Sequence, residues 1–523
     1  MPANVFWNIT FGPYAFTVHR ADLTYRLEET ETGTLWADGL SLGTVEITER
    51  ESGTATRYPF GALQLVSLSE KSGANGKRIL FGLEAPGRIP VDVYLTCTDR
   101  EIQLTVEASR DTKTHRVGEI LLLPGLCAVP ADGASHLVIP HREGVILFAD
   151  AAPEETTPLP IWDADSGLVM PFVGAVRVSL TPPAPLSLRR ERGEAEGVGQ
   201  HGERSDTASS LPPLPSEGEG GRGGEGFKRS KSALALLTDS AYAIADLSRT
   251  SDSAVLNMRY ERDPERRRLD VRVVLMPGGD HIGIARAYRD KLIGDGGHVT
   301  LRKKMREKPA LMAWLGGDGT APTARKQVVL PAATNRWTSM ENHAPEAEPE
   351  NTVYFADLCG DWAVPFVDLW YYTDSPRFGV AVPLLAVVHH DAVPLCFDTD
   401  ADGDKALLRA LLHVAPPIPG RTPPSHVGIL QPLHALSVGA FLTEHRFLTP
   451  DFAVEEARYS NGLRVVLNGS ATDDYETAEL HLPPLGFYVF HERMVLHHAW
   501  RVRAVQLSKK LAGNILPSVE TAG

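Results

Sequence analysis

Short apolar runs, several alternating with polar residues and rich in β-branched side chains, dominate residues 1–182. Leu63-Gln64-Leu65-Val66, Ile102-Gln103-Leu104-Thr105-Val106 and Val138-Ile139 are examples. Turn residues separate them, as in Ser72-Gly73-Ala74-Asn75-Gly76. A two-residue period with this punctuation predicts an antiparallel β region, long enough for a large sandwich. Residues 183–232 break the pattern. Between Pro183 and Arg229, 15 of 47 residues are Gly or Pro, and Phe227 is the only aromatic. Such a segment buries too little apolar surface to offset its ordering entropy, so a disordered insertion is expected there.

Strand signals resume at Ala233–Leu237 and at Leu269–Leu275, so the β domain is expected to continue over 233–282. Ile282–Ile293 has one apolar face at helical spacing, with Gly294 as its stop. A second short helix is expected over Leu301–Lys308, closed by Pro309, and a third over Lys405–Leu412. Strands are predicted at Thr352–Phe355 and Phe378–Leu384, whereas 316–352 carries little pattern. From about residue 444 strands dominate again, including Leu463–Leu467 and Gly486–Phe490, and the last ~20 residues read as a loose tail.

Composition narrows the classes. The 523 residues are 43% hydrophobic and 23% charged, with a formal net charge of −14. Clustered cations are what a nucleic-acid partner needs, and the acidity argues against one. No stretch approaches ~20 uninterrupted apolar residues, so no membrane span is expected. Met1-Pro2-Ala3-Asn4-Val5-Phe6-Trp7 lacks the cationic start of a signal peptide. The four cysteines (Cys97, Cys127, Cys359, Cys396) are far apart, which disfavours a disulfide framework or a structural zinc site. A cytoplasmic location and no cofactor are the resulting expectations.

Four phrases, in order, resemble bacterial glycoside hydrolases of the endo-α-N-acetylgalactosaminidase-like group. The first is His136-Leu137-Val138-Ile139-Pro140-His141-Arg142-Glu143-Gly144 with Gly167-Leu168-Val169-Met170-Pro171-Phe172-Val173-Gly174-Ala175. The second is Ala287-Tyr288-Arg289-Asp290-Lys291-Leu292. The third is Gly360-Asp361-Trp362-Ala363-Val364-Pro365-Phe366-Val367-Asp368, followed by Val382-Pro383-Leu384 and His389-His390-Asp391-Ala392-Val393. The fourth is Tyr459-Ser460-Asn461-Gly462-Leu463-Arg464-Val465-Val466-Leu467-Asn468 with Leu482-Pro483-Pro484-Leu485-Gly486-Phe487. The resemblance implies a multidomain β plus α/β protein. A mutarotase-like β-sandwich (1–182 and 233–282) would precede a (β/α) barrel region (283–440), a C-terminal antiparallel β-sandwich (441–505) and a tail (506–523).

One departure is large. An eight-stranded (β/α) barrel takes about 200–250 residues, but only 158 lie between Ile282 and Gly439. The barrel is therefore expected to be partial. Glycoside hydrolysis uses two carboxyl groups, about 5 Å apart in a retaining enzyme. The resemblance implies an Asp nucleophile in mid-barrel, where this chain lacks the strand, and an acid/base Glu shortly before the third phrase. Asp357 stands at that position, with Asp361 next. An Asp places its proton roughly 1 Å short of a Glu, a misplacement that can cost ~10²-fold. These two are the candidate catalytic residues; a carboxylate that merely caps or orients neighbours, Asp368 included, is the alternative. Trp362, Asp368, Trp370 and Tyr372 are the candidate contacts to a carbohydrate ligand, since aromatic faces stack on sugar rings. Core packing is the simpler reading of the same aromatics. The expected outcome is a glycosidase-like protein, weak or inactive, or a non-catalytic carbohydrate-binding or structural remnant.

Other signals are discounted. Asp398-Thr399-Asp400-Ala401-Asp402-Gly403-Asp404 opens like a calcium loop, but its twelfth position is Arg409 rather than a bidentate Glu. A solvated turn capping the next helix is the simpler reading. His389-His390 and His497-His498, read as strand neighbours, point to opposite faces and cannot chelate one ion. No metal site is expected. Gly278-Gly279 and Gly316-Gly317 read as turns, and no G-x-S-x-G elbow occurs.

Overall fold

The computed structural model describes residues 6–73, 76–98, 101–108, 111–163, 166–181, 228–240, 243–261, 268–315, 324–327, 352–358, 360–372, 377–399, 403–418, 421–499 and 501–502. Most of the insertion expected over 183–232, most of the pattern-poor 316–352, part of the acidic loop and the tail lie outside them. The chain is β-rich and is built from several sheets.

The first half forms a four-stranded, a six-stranded and a ten-stranded sheet. Phe172–Thr181 pairs antiparallel with Lys228–Thr238, from Phe172↔Leu237 to Thr181↔Lys228, so the strands on either side of the insertion are direct neighbours. The second strand begins at Lys228, inside the span expected as insertion. Inward residues of the three sheets share one core, among them Trp36, Val45, Phe81, Val93, Leu104, Met258 and Val273. A second core lies on the opposite face of the ten-stranded sheet, with Val138, Phe172, Ala233, Ala235 and Leu237. This explains the unbroken apolar run at 233–237. Leu234 and Leu236 face one core, their neighbours the other, and a strand buried on both faces cannot alternate.

Asp280 caps the helix His281–Gly294, its carboxylate accepting the Gly283 N–H. This helix lies on the second core through Ile282, Ile284, Ala285 and Tyr288. Gly294 closes it in sequence, but Gly296 is the glycine at positive φ (+75°). Thr300 caps Leu301–Glu307. Pro309 ends that helix and opens another, Pro309–Leu315, because a first-turn proline has no N–H to lose. The strand expected over 378–384 shrinks to Val380–Ala381, paired to Val145–Phe148, and Leu384–His389 is helical after Pro383. Every residue of that helix is buried, and a short all-apolar run does not separate helix from strand. Pro424–Ser437 is a helix without a clear helical signal in its residues, since Pro432 interrupts it.

Ala324–Gln327, Thr352–Asp357, Leu369–Tyr372 and Leu395–Phe397 form an all-parallel sheet in chain order. Gly403–Leu412 follows its last strand. Val353, Leu369 and Cys396 face a third core with Leu301, Leu311, Trp314 and Ile418. Ala356, Trp370, Tyr372, Leu395 and Phe397 face the second core. Beyond it, a five-stranded sheet spans Leu442–Phe447 to Met494–His498 and packs on a three-stranded one through Val454, Val466, Leu480, Leu482 and Tyr488. Among the described residues no helix is long and apolar enough to cross a membrane.

Candidate functional site

Parallel strands bring their carboxyl ends to one edge, and ligands of such sheets bind there. Asp357 is the last residue of Thr352–Asp357, and its Cα partner is Tyr371, which in turn pairs with Cys396. Two residues on from Cys396 stands Asp398, so alternation puts Asp357, Tyr371 and Asp398 on one face of this edge. Asp357 is exposed, and its carboxylate accepts no hydrogen bond from the described residues. Tyr371 donates its hydroxyl to Asp398 Oδ2 (3.3 Å), and Arg421 Nη1 donates to the Tyr371 hydroxyl (2.5 Å). Arg421 also lies 3.7 Å from Asp398.

Asp361 has a different setting. Its backbone N–H donates to Val169 O (2.9 Å), and the residue is only 7% exposed. Oδ1 accepts from Trp162 Nε1 (2.7 Å); Oδ2 accepts from the Tyr288 hydroxyl (2.5 Å) and from His389 Nε2 (3.3 Å). Burial, with the Asp361 charge beside it, pushes the Tyr288 phenol far up, so it stays a donor. Burial likewise lowers His389 despite the carboxylate's pull. Three elements thus end on one carboxylate: the 160–170 segment, the His281–Gly294 helix and the end of Leu384–His389. Asp361, a candidate catalytic group from the sequence, faces these donors rather than solvent.

Asp368 is buried too. Oδ2 accepts from Lys308 Nζ (2.6 Å) and from the Tyr354 backbone N–H (2.9 Å), which ties the strand it precedes to its neighbour. The loop between Asp361 and Asp368 is held by Lys304, whose Nζ donates to Val364 O (2.6 Å) and Val367 O (2.5 Å). Burial brings the Lys304 ammonium down to about 7, opposed by Asp368. Trp370 is fully buried in the second core, edge-on to His389 at 5.9 Å, so it offers no face to a ligand. Tyr372 is buried as well, its hydroxyl accepting from Arg409 Nη2 (3.0 Å). Trp362 is half-buried.

The Tyr372 side of the sheet carries a charged cluster that no sequence motif points to. Glu143, in the turn between His136–Ile139 and Val145–Phe148, bonds to Arg409 and accepts from His413 Nε2 (2.7 Å). Burial alone would raise the Glu143 carboxyl; Arg409 and His413 hold it below the usual range. Arg409, the wrong twelfth residue for a calcium loop, is the cation that Glu143 requires. The one available signal is Glu143 within the first phrase, because a buried acid demands a partner. Further along, Arg289 clamps Asp391 through two bonds (2.8 and 2.6 Å), and His298 Nε2 donates to it (3.1 Å). Burial would raise Asp391, but these partners hold it far below the carboxylate range. His389 and His390 end a helix rather than lie on a strand, and they diverge: Nδ1 of His390 donates to Ala440 O (2.7 Å). Among the described residues no cluster of three His, Cys, Asp or Glu is arranged to hold a metal.

No protein-family model matches the chain. No curated protein sequence matches it either. Among solved structures, it is similar to the α-N-acetylgalactosaminidase NagBb from Bifidobacterium bifidum in complex with GalNAc. The TM-score is 0.59 at 14% identity, covering 88% of this chain and 98% of that one. The ligand-free form of the same protein gives 0.58 at 13%, with the same coverage. A β-arabinopyranosidase structure overlays with a TM-score of only 0.34 at 8% identity, over 89% of this chain and 91% of that one. At such identities the likeness concerns the fold alone: the chain shares the fold of the NagBb glycosidase structure.

Proposed function

We propose that the chain is a glycosidase-like protein that binds a carbohydrate at the carboxyl edge of its parallel sheet and hydrolyses it slowly or not at all. The finer architecture in this reading is a β-sandwich over 1–182 and 233–282, a shortened (β/α) barrel over 283–440 and a C-terminal β-sandwich over 441–505. The fold likeness to an α-N-acetylgalactosaminidase makes α-linked N-acetylgalactosamine the sugar to test first. The buried, unpaired Cys97, Cys127 and Cys396 agree with a reducing cytoplasm as its compartment.

The observation that carries the reading is the unequal engagement of the carboxylates. Asp361 and Asp368 are buried and bonded, whereas Asp357 is exposed at a strand's carboxyl end, where a general acid would stand. Asp398, on the same face, is already held by Tyr371 and Arg421. Leu369–Tyr372 lies between the two strands, and Asp398 stands two residues beyond Cys396, which is in register with Asp357. At 4.7–4.9 Å per step across and about 3.3 Å per residue along, the Asp357 and Asp398 backbones stand roughly 12 Å apart. A retaining pair works at ~5 Å. General acid catalysis alone contributes ~10²–10⁴-fold, against 10⁶-fold or more for whole enzymes. Binding without rapid turnover is what this arrangement supports.

Equilibrium dialysis of the full chain with N-acetyl-D-galactosamine tests the binding. Saturable retention supports the proposal; no retention of this or any other hexose at millimolar concentration overturns it.

A further inference from the structure

Trp162 is a bulky residue at φ +63°, in the left-handed region where an L side chain is strained. Strain of this kind persists only where the surroundings over-determine it, and it gathers at ligand sites. Here the surroundings are visible. Nε1 of Trp162 donates to Asp361 Oδ1 at 2.7 Å, and Asp361 is itself fixed by Tyr288 and His389. On the other side stands Gly360. A Cβ there would lie 2.5 Å from Trp162 Cβ and 2.6 Å from Trp362 Cδ1, so two tryptophans crowd one backbone position that only glycine leaves open. Trp162 packs against the first core and Trp362 against the second. Both remain half-buried at the seam between them. A joint that served packing alone would bury these rings, since each hides a large apolar area when covered.

We propose that Trp162 and Trp362 form a pre-ordered aromatic platform on which a pyranose ring stacks through its C–H face, with Asp361 as the positioning residue that holds the Trp162 ring. The platform rests on the carbohydrate reading above and adds to it a site shared between the amino-terminal sheets and the 360–368 loop. Galacto-configured sugars suit it, because their ring hydrogens gather on one face. Fixing both rings beforehand removes the ordering cost that a mobile aromatic would bring to binding.

Limited oxidation with N-bromosuccinimide, mapped by mass spectrometry on the full chain, locates the contact. D-galactose and N-acetyl-D-galactosamine are the probes, and sorbitol, which has no ring, is the control. Either sugar is expected to slow oxidation of Trp162 and Trp362 by about fivefold or more, because a seated ligand covers the rings it stacks on. Sorbitol is expected to have no effect, with Trp36 and Trp370 unreactive throughout. Trp162→Ala is expected to weaken sugar retention in dialysis by about tenfold, and Trp162→Phe, which keeps a ring, by less. Sugar retained by the wild type with unchanged oxidation of both tryptophans overturns the platform and leaves the carbohydrate reading standing. Retention of no sugar overturns both. Because the oxidation arm uses the wild-type protein, a misfolded Trp162→Ala would not decide the matter.

Discussion

Asp361, a candidate catalytic group from the sequence, is tied into a network of hydrogen bonds. It receives an indole, a phenol and an imidazole from three segments, and removing it frees the half-buried indole and strands the phenol and the imidazole in a buried region. Asp361→Ala should therefore cost about 2–4 kcal/mol in denaturant unfolding. Asp357→Asn, at an exposed position whose carboxylate accepts no hydrogen bond from the described residues, should stay within about 0.5 kcal/mol. His434 gives a pH signature. Burial lowers it to about 4, and its Nδ1 donates to Val414 O (2.9 Å), so the folded ring is neutral. An unfolded histidine takes its proton near 6.5. Between these values the unfolded chain binds the proton and the folded chain does not. The contribution is thus full above pH 6.5 and is lost as pH falls towards 4, by roughly 3 kcal/mol at most. His434→Asn keeps the donor but cannot titrate. Its stability, followed by urea unfolding at pH 7 and at pH 4.5, should drop less than that of the wild type. None of these roles is legible in the sequence. Trp162 and Asp361 are 199 positions apart, Glu143 and Arg409 266, and no local pattern announces such pairings.

Among the larger elements, legibility follows exposure. Helices with one wet face, His281–Gly294 and Gly403–Leu412, are legible nearly to their ends, because polar positions mark the period. Leu384–His389 is not expected as a helix from the sequence: every residue of it is buried, so no polar position marks a period, and its first residue reads as the end of a strand. Pro424–Ser437 escapes sequence reasoning because Pro432 reads as a breaker, although the helix carries it internally. Two glycines in this half should respond oppositely to alanine. Gly360→Ala pushes a methyl into both tryptophans and should destabilise the fold by about 1–3 kcal/mol. Gly428 is helical and exposed, and nothing lies within 4 Å of the place a methyl would take, so Gly428→Ala should gain about 0.5–1 kcal/mol. Thermal unfolding of the two variants beside the wild type compares them directly.

Across the molecule, the ten-stranded sheet organises the rest. One face packs on the six- and four-stranded sheets, the other on the His281–Gly294 helix, the parallel sheet and the five-stranded sheet. The order of β and α/β parts is visible in the sequence because strands and helices differ in period. The way both faces of one sheet serve two cores is not, apart from the unbroken run at 233–237. The 158 residues from Ile282 to Gly439 bound the size of the proposed barrel. Of its parallel strands, four are described, with Asp357 exposed at the edge and the other implicated carboxylates bonded to neighbours. The central claim, a glycosidase fold that binds without rapid turnover, is tested most directly by hydrolysis of activated aryl α-glycosides by the full chain and by Asp357→Asn, side by side. The account predicts slow release of the phenol or none, with the variant within about tenfold of the wild type. Rapid turnover by the wild type that disappears in Asp357→Asn would contradict it.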